Sequence, residues 1–161
     1  MPIADHRLPS SDKIEHLYVH VPFCPKICPY CSFYKLSGGT DFRQDFVKAL
    51  LKELDFYADR LRPQTIFFGG GTPTMLTLAQ LKSILEAIHE KIDLTKLREW
   101  TFEMNPATVN AAKARLLVQG GVTRFSMGVQ AWQPRLLKTL GRIHSPEQVT
   151  RSTETLRKAG V

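Results

Sequence analysis

Apolar and polar positions repeat with two different periods along this chain. "EHLYVHV" at 15–21 alternates as a strand does, whereas "DFRQDFVKALLKELDFYADRL" at 41–61 sets Phe42, Phe46, Leu50, Leu54 and Leu61 close to helical spacing. "TIFFGGGTP" at 65–73 predicts a strand running into a glycine loop. Thr77 and Gln80 then form a capping box ahead of Leu78, Leu81, Leu85 and Ile88, predicting a second helix. "EWTFEMNP" at 99–106 reads as a third strand, "TVNAAKARLLVQGG" at 108–121 as a helix ending in glycine, and "TRFSMGVQ" at 123–130 as a fourth strand. Ser145, Pro146 and Gln148 cap a last helix that stops at Gly160.

Four strand-then-helix units predict an α/β fold with a parallel sheet and right-handed crossovers, either an open sheet or part of a barrel. The expected organisation is a polar N-terminal tail over 1–14 and one domain over 15–161. The chain stops at Val161, where another strand would start. A four-stranded piece would leave an apolar sheet edge uncovered, so the expectation is the N-terminal portion of a longer protein.

Strand alternation also predicts which side chains share a face. Leu17, Val19 and Val21 oppose Tyr18 and His20; Trp100, Phe102 and Met104 oppose Thr101, Glu103 and Asn105; Phe125, Met127 and Val129 oppose Ser126, Gly128 and Gln130. Parallel strands covered on both faces read as near-continuous apolar runs, so a polar face calls for a reason. A barrel lumen that holds a polar ligand supplies one. The polar residues crowd toward the C-terminal ends of their strands, where α/β folds place their sites.

Composition narrows the class. With 43% hydrophobic and 23% charged residues, the chain has the balance of a globular protein, and no stretch approaches the ~18 apolar residues of a membrane span. The first residues lack a signal-peptide apolar run, which predicts a cytoplasmic location. The net charge of +7 is scattered along helices rather than gathered in a stripe, so solvated helix faces explain it better than nucleic-acid binding.

All three cysteines lie in "HVPFCPKICPYCSF" at 20–33, spaced C-x3-C-x2-C. An odd number of thiols, crowded on one loop of a chain without an export signal, points to a metal site rather than a disulfide framework. Pro22, Pro25 and Pro29 restrict the backbone and lower the entropy lost on binding. Cys24, Cys28 and Cys31 suit a 4Fe-4S cluster with one iron left open, or a zinc ion with His20 as fourth ligand, or no metal at all. The absence of a second cysteine pair favours the cluster.

The C-x3-C-x2-C loop at the end of a first strand, with Tyr30 before the last cysteine, resembles the radical S-adenosylmethionine (SAM) superfamily. "YVHVPFC" at 18–24, "GGGTPT" at 69–74, "EMNP" at 103–106 and "RFSMGVQAWQPRLLKTLGRIHS" at 124–145 are similar to its group of oxygen-independent coproporphyrinogen III oxidases and heme chaperones, over residues 15–161. The resemblance implies a parallel (β/α) partial barrel. It implies a 4Fe-4S cluster on Cys24, Cys28 and Cys31 whose open iron takes the amino and carboxylate groups of SAM, and an electron donor that reduces the cluster. SAM is then cleaved to methionine and a 5′-deoxyadenosyl radical. By the same likeness Gly69, Gly70, Gly71 and Thr72 present backbone groups to the methionine ammonium; Glu103, Gln130 and Arg142 hold ribose and carboxylate; Tyr18 and His20 lie beside the cluster.

Phe33 occupies the place of a further cysteine in the oxidases, whose pattern is C-x3-C-x2-C-x-C. "CPYCSF" and "LGRIHS" resemble the chaperones, although Ser32 departs from the aspartate often found there. The resemblance thus implies a heme or porphyrin ligand and a heme acceptor protein, with Phe33 at the cofactor site; the oxidase, and a zinc-binding structural module, are the alternatives. His16, His89 and His144 read as ordinary surface or helix histidines rather than heme ligands, and Met75, Met104 and Met127 as core or loop residues.

Overall fold

The computed structural model describes residues 13–37 and 40–161. Strands β1 (Ile14–Val21), β2 (Leu61–Gly70), β3 (Glu99–Met104) and β4 (Arg124–Met127) pair in parallel in the order β1-β2-β3-β4. Helices α1 (Thr40–Tyr57), α2 (Leu78–Lys91) and α3 (Ala111–Gln119) connect successive strands, and α4 (Pro134–Thr139) and α5 (Pro146–Ala159) follow β4. Helix α1 packs beside α2, α2 beside α3 and α3 beside α5, so the helices keep the order of the strands on one side of the sheet. The sheet's other face stays clear of them. This is the layout of a partial (β/α) barrel rather than of a sheet wound on both faces.

Alternation explains the division. Val19, Val21, Ile66, Phe68, Trp100 and Phe102 are buried together beneath the helices, with the rings of Phe68 and Phe102 stacked at 4.9 Å. Pairing of Val19 with Phe68 and of Phe68 with Phe102 carries that apolar row across three strands. Helix α2 adds Leu81, Ile84, Leu85 and Ile88, the i, i+3, i+4, i+7 stripe of a helix that buries one face.

The expected elements are present with shifted edges. Strand β1 begins at Ile14, inside the expected tail, and residues 1–12 of that tail lie outside the described residues. Leu61 does not close the first helix. A 3-10 turn at Ala58–Arg60 ends it, and Leu61 opens β2 as a buried core residue. Phe42 is 69% exposed and Leu78 44% exposed, so Val47 and Leu54 dock α1, and Ile84 takes a place in the α2 stripe. Both capping boxes form, Thr77 with Gln80 and Ser145 with Gln148, and Gly160 closes α5 in the left-handed conformation.

The cysteine loop leaves the end of β1 and returns to it. Leu36 N donates to Pro22 O at 2.7 Å and Cys24 N to Leu36 O at 3.0 Å, closing the loop at its base. Phe23 is buried there against the ring of Phe46 at 5.4 Å. The glycine loop after β2 is laced to the same place, with Gly71 N on Val21 O and Thr72 N on Phe23 O, both at 2.8 Å. A side chain at Gly71 has no room, since its Cβ would meet Pro22 and Phe23 backbone atoms at 2.7–2.8 Å. Gly71→Ala is expected to destabilise the fold by about 1–3 kcal/mol, the usual cost of overpacking, as measured by urea unfolding.

Candidate metal and cofactor site

A cavity of about 400 Å³ opens at the C-terminal ends of the strands, on the face away from the helices. Cys24, Cys28, Cys31, Phe33, Gly70, Gly71, Thr72, Glu103, Gln130 and Arg142 line it together. Register accounts for much of that meeting. His20 pairs with Gly69 and Glu103 with Ser126, while Phe68 opposite Phe102 sets Gly69 beside Glu103, giving one polar row across the four strands. Gly69 lies in that row but not on the cavity wall.

Glu103 accepts from Gly70 N at 3.3 Å. Burial pushes its pKa above the ordinary carboxylate value, more than the Gly70 bond and the charge of His20 pull it down. Partial desolvation raises the pKa of Tyr18, with the Glu103 charge adding to it.

Gln130 is displaced from the expected fourth strand. Strand β4 stops at Met127, and Val129 N on Met127 O and Ala131 N on Val129 O, each 2.9 Å, turn the chain through successive three-residue turns. Gln130 sits there with φ 71°, a left-handed conformation that costs a non-glycine residue roughly 1 kcal/mol or more. It reaches the cavity from a strained turn, not from strand alternation.

Arg142 arrives through α4, which the sequence reading lacks because six residues are too few for a period to show. Pro134 at its first turn was the available signal. Gly141 N bonds to Lys138 O and Arg142 N to Leu137 O, a Schellman ending with Gly141 at φ 68°. Gly141 also presses on the cysteine loop, where a Cβ would lie 2.9 Å from Pro29. The backbone therefore aims Arg142 into the site. Its guanidinium donates to Cys28 Sγ at 3.6 Å, to Gly128 O and to Asn105 Oδ1.

The cysteines are all free thiols, each partly exposed. Burial raises the Cys24 pKa, with the Cys31 and Cys28 charges adding and the Thr72 hydroxyl and Lys35 opposing. Its thiolate forms at a cost that a bound metal would offset. Lys35 caps the loop, donating to the carbonyls of Cys31 and Phe33.

Tyr18 and His20 stand outside the cavity. They line an apolar groove between β1 and α1. His20 Nδ1 pairs with Tyr18 Oη at 3.0 Å and Nε2 with Tyr34 O at 2.9 Å. With both nitrogens engaged, His20 is not offered as a fourth zinc ligand, and among the described residues no three His, Cys, Asp or Glu side chains gather as tightly as a single ion requires. Three thiols on one loop, with donors aimed at two of the sulfurs, fit a thiolate-held group.

His16 bonds Thr65 Oγ1 and His89 bonds Gly120 O, as exposed histidines do. His144 departs from expectation: it is 7% exposed, and burial with the Arg142 charge lowers its pKa. It packs behind Arg142 because the Schellman turn folds the segment inward. Met104 is core, as expected, and Met75 and Met127 pack against core residues. No helix among the described residues is long and apolar enough to cross a membrane.

With this geometry in place, known proteins supply the comparison. The model of the radical SAM superfamily matches residues 18–161. Heme chaperone HemW of Lactococcus lactis subsp. lactis is 41% identical over 144 residues, covering 89% of this chain and 38% of that protein. Oxygen-independent coproporphyrinogen III oxidase of Paracoccus denitrificans is 31% identical, covering 90% of this chain and 33% of that one. The solved Escherichia coli coproporphyrinogen III oxidase, a radical SAM enzyme, superposes with a TM-score of 0.83 at 26% identity, over 92% of this chain and 35% of that structure. The chain thus spans less than two fifths of the length of these relatives. Three cysteines on a loop at the end of β1, a glycine loop after β2 and a polar row across a partial barrel agree with the family match: the chain belongs to the radical SAM superfamily.

Proposed function

We propose that this chain forms the cluster-binding and SAM-binding part of a heme chaperone, a protein that carries heme and passes it to an acceptor protein. The observation that carries this reading is Phe33. It stands where the resemblance puts a further cysteine in the oxidases, and it is 67% exposed on the cavity rim. The likeness to HemW proteins supports the same choice. Cytoplasmic location, where thiols stay reduced, is part of the proposal.

Cys24, Cys28 and Cys31 would hold the cluster, which when bound supplies an electron and an open iron to SAM. The chain's own residues do the rest. Gly70, Gly71 and Thr72, with Gly69 behind them, allow close approach of backbone groups to the ammonium of the methionine part; Glu103 and Gln130 suit ribose hydroxyls; Arg142 matches a carboxylate. Tyr18 and His20, joined by a hydrogen bond, brace the base of the cysteine loop through Tyr34. Phe33 presents an apolar ring at the entrance.

The oxidase is the second reading, favoured by the superposition on the Escherichia coli enzyme. Turnover of coproporphyrinogen III separates the two. The full-length parent protein, reconstituted anaerobically with iron and sulfide and given SAM and a reductant, is expected to bind heme and form no protoporphyrinogen IX; product formation would establish the oxidase. Cys28→Ala is expected to lose the brown colour and the iron, read by absorbance and iron and sulfide analysis, and an iron-loaded variant would overturn the ligand assignment.

Glu103→Gln tests the SAM pocket. A carboxylate whose pKa is raised by folding costs nothing below its unfolded value of ~4.3 and weakens the fold as pH rises through the folded value. The apo variant is therefore expected to be more stable than the parent at pH 7, with the difference vanishing below about pH 4 in denaturant titrations. Its affinity for SAM is expected to fall roughly tenfold by calorimetry, the loss of one charge-assisted hydrogen bond.

A further inference from the structure

One side chain joins the hydrogen bonds that reach the cysteine sulfurs. Asn105, just beyond β3, donates from Nδ2 to Thr72 Oγ1 at 2.8 Å, and Thr72 Oγ1 lies within donating distance of Cys24 Sγ at 3.9 Å. Asn105 Oδ1 accepts from Arg142 Nη2, while Nη1 of the same guanidinium donates to Cys28 Sγ at 3.6 Å. The path Cys24–Thr72–Asn105–Arg142–Cys28 is continuous. The backbone of Asn105 is fixed as well, its N–H donating to Thr108 Oγ1 at 3.2 Å and its carbonyl accepting the Thr108 hydroxyl at 2.6 Å.

The chemistry selects an amide. Arg142 has only donors to offer, so Oδ1 must face it and Nδ2 must face Thr72. Nδ2 in turn can only donate, so the single hydroxyl proton of Thr72 is left for Cys24. Aspartate would accept from Arg142 but also draw the Thr72 proton away from the sulfur. Leucine would hold neither partner, leaving Nη2 of Arg142 only the Gly128 carbonyl.

We propose that Asn105 is a positioning residue that sets the reduction potential of the cluster, by directing Thr72 onto Cys24 and Arg142 onto Cys28. This rests on the reading of the three cysteines as cluster ligands. Hydrogen bonds to ligand sulfurs stabilise the more negative, reduced cluster, so their loss makes the cluster harder to reduce. One amide touches the donors of such bonds to two of the three thiolates, while Gly128 O and Tyr30 also engage Arg142.

The test is the midpoint potential of the reconstituted protein without SAM, titrated with dithionite and followed by electron paramagnetic resonance. Asn105→Leu, Thr72→Val and Arg142→Lys are each expected to shift it to more negative values; Arg142→Lys keeps the charge but loses the fork. A tenfold change in the ratio of reduced to oxidised cluster at fixed potential corresponds to about 59 mV. The effect of Asn105→Leu is expected to shrink by at least half when Thr72→Val and Arg142→Lys are already present. An unshifted potential in Asn105→Leu with a full cluster, or a shift undiminished in that background, overturns the proposal. Should Asn105→Leu fail to assemble, Asn105→Asp keeps the shape and the Arg142 contact. Its shift is expected to be smaller with Thr72→Val than with Thr72 present, and equal shifts again overturn the proposal. A parent protein that binds no iron and sulfide refutes the ligand reading itself, an outcome distinct from a normal cluster with an unmoved potential.

Discussion

Four backbone hydrogen bonds at the end of β1 hold the site in being. Two close the cysteine loop on itself between Pro22, Cys24 and Leu36, and two fasten the glycine loop to Val21 and Phe23. Each lies where main-chain groups would otherwise be left without partners as the strands end, a cost of about 1–3 kcal/mol per buried group. Their geometry depends on a residue with no side chain at 71 and on a buried phenylalanine at 23. Through them the sheet fixes the distance between thiols and glycine backbone, and every contact in the cavity inherits that distance.

Charge is distributed around the cavity in a way that suits an anionic group. Arg142 reaches Cys28 Sγ and Lys35 holds carbonyls of the cysteine loop, while Glu103 is the only carboxylate among the described residues lining the cavity. Thiolates would bring further negative charge, which these cations offset at short range where screening is weak. Glu103 meanwhile carries a desolvation cost that a hydroxyl-bearing ligand could relieve by hydrogen bonding.

Much of this was legible from periodicity. The strands, the two capping boxes and the polar face over Tyr18, His20 and Glu103 follow from local rules that the packing did not override. What escaped was of a different kind. Helix α4 has too few residues to show a period, and Leu61 fits a helical stripe as well as a strand, since spacing alone does not say where a helix gives way. Gln130 lies past the strand in a left-handed turn, a conformation that composition does not announce. Tyr18 and His20 share the polar face yet stay out of the cavity, because the glycine loop and the cysteine loop close over the ground between them. Asn105 was visible on that face without its role, which depends on two partners 33 and 37 positions away.

The closed base of the cysteine loop also bears on the entropy that binding there must overcome. Backbone bonds joining Pro22, Cys24 and Leu36, with the bridge of Phe23 to Leu36, share in closing the loop, so a group held by the thiols need not supply all of that closure entropy. In a zinc finger, by contrast, the metal is what makes the chain fold.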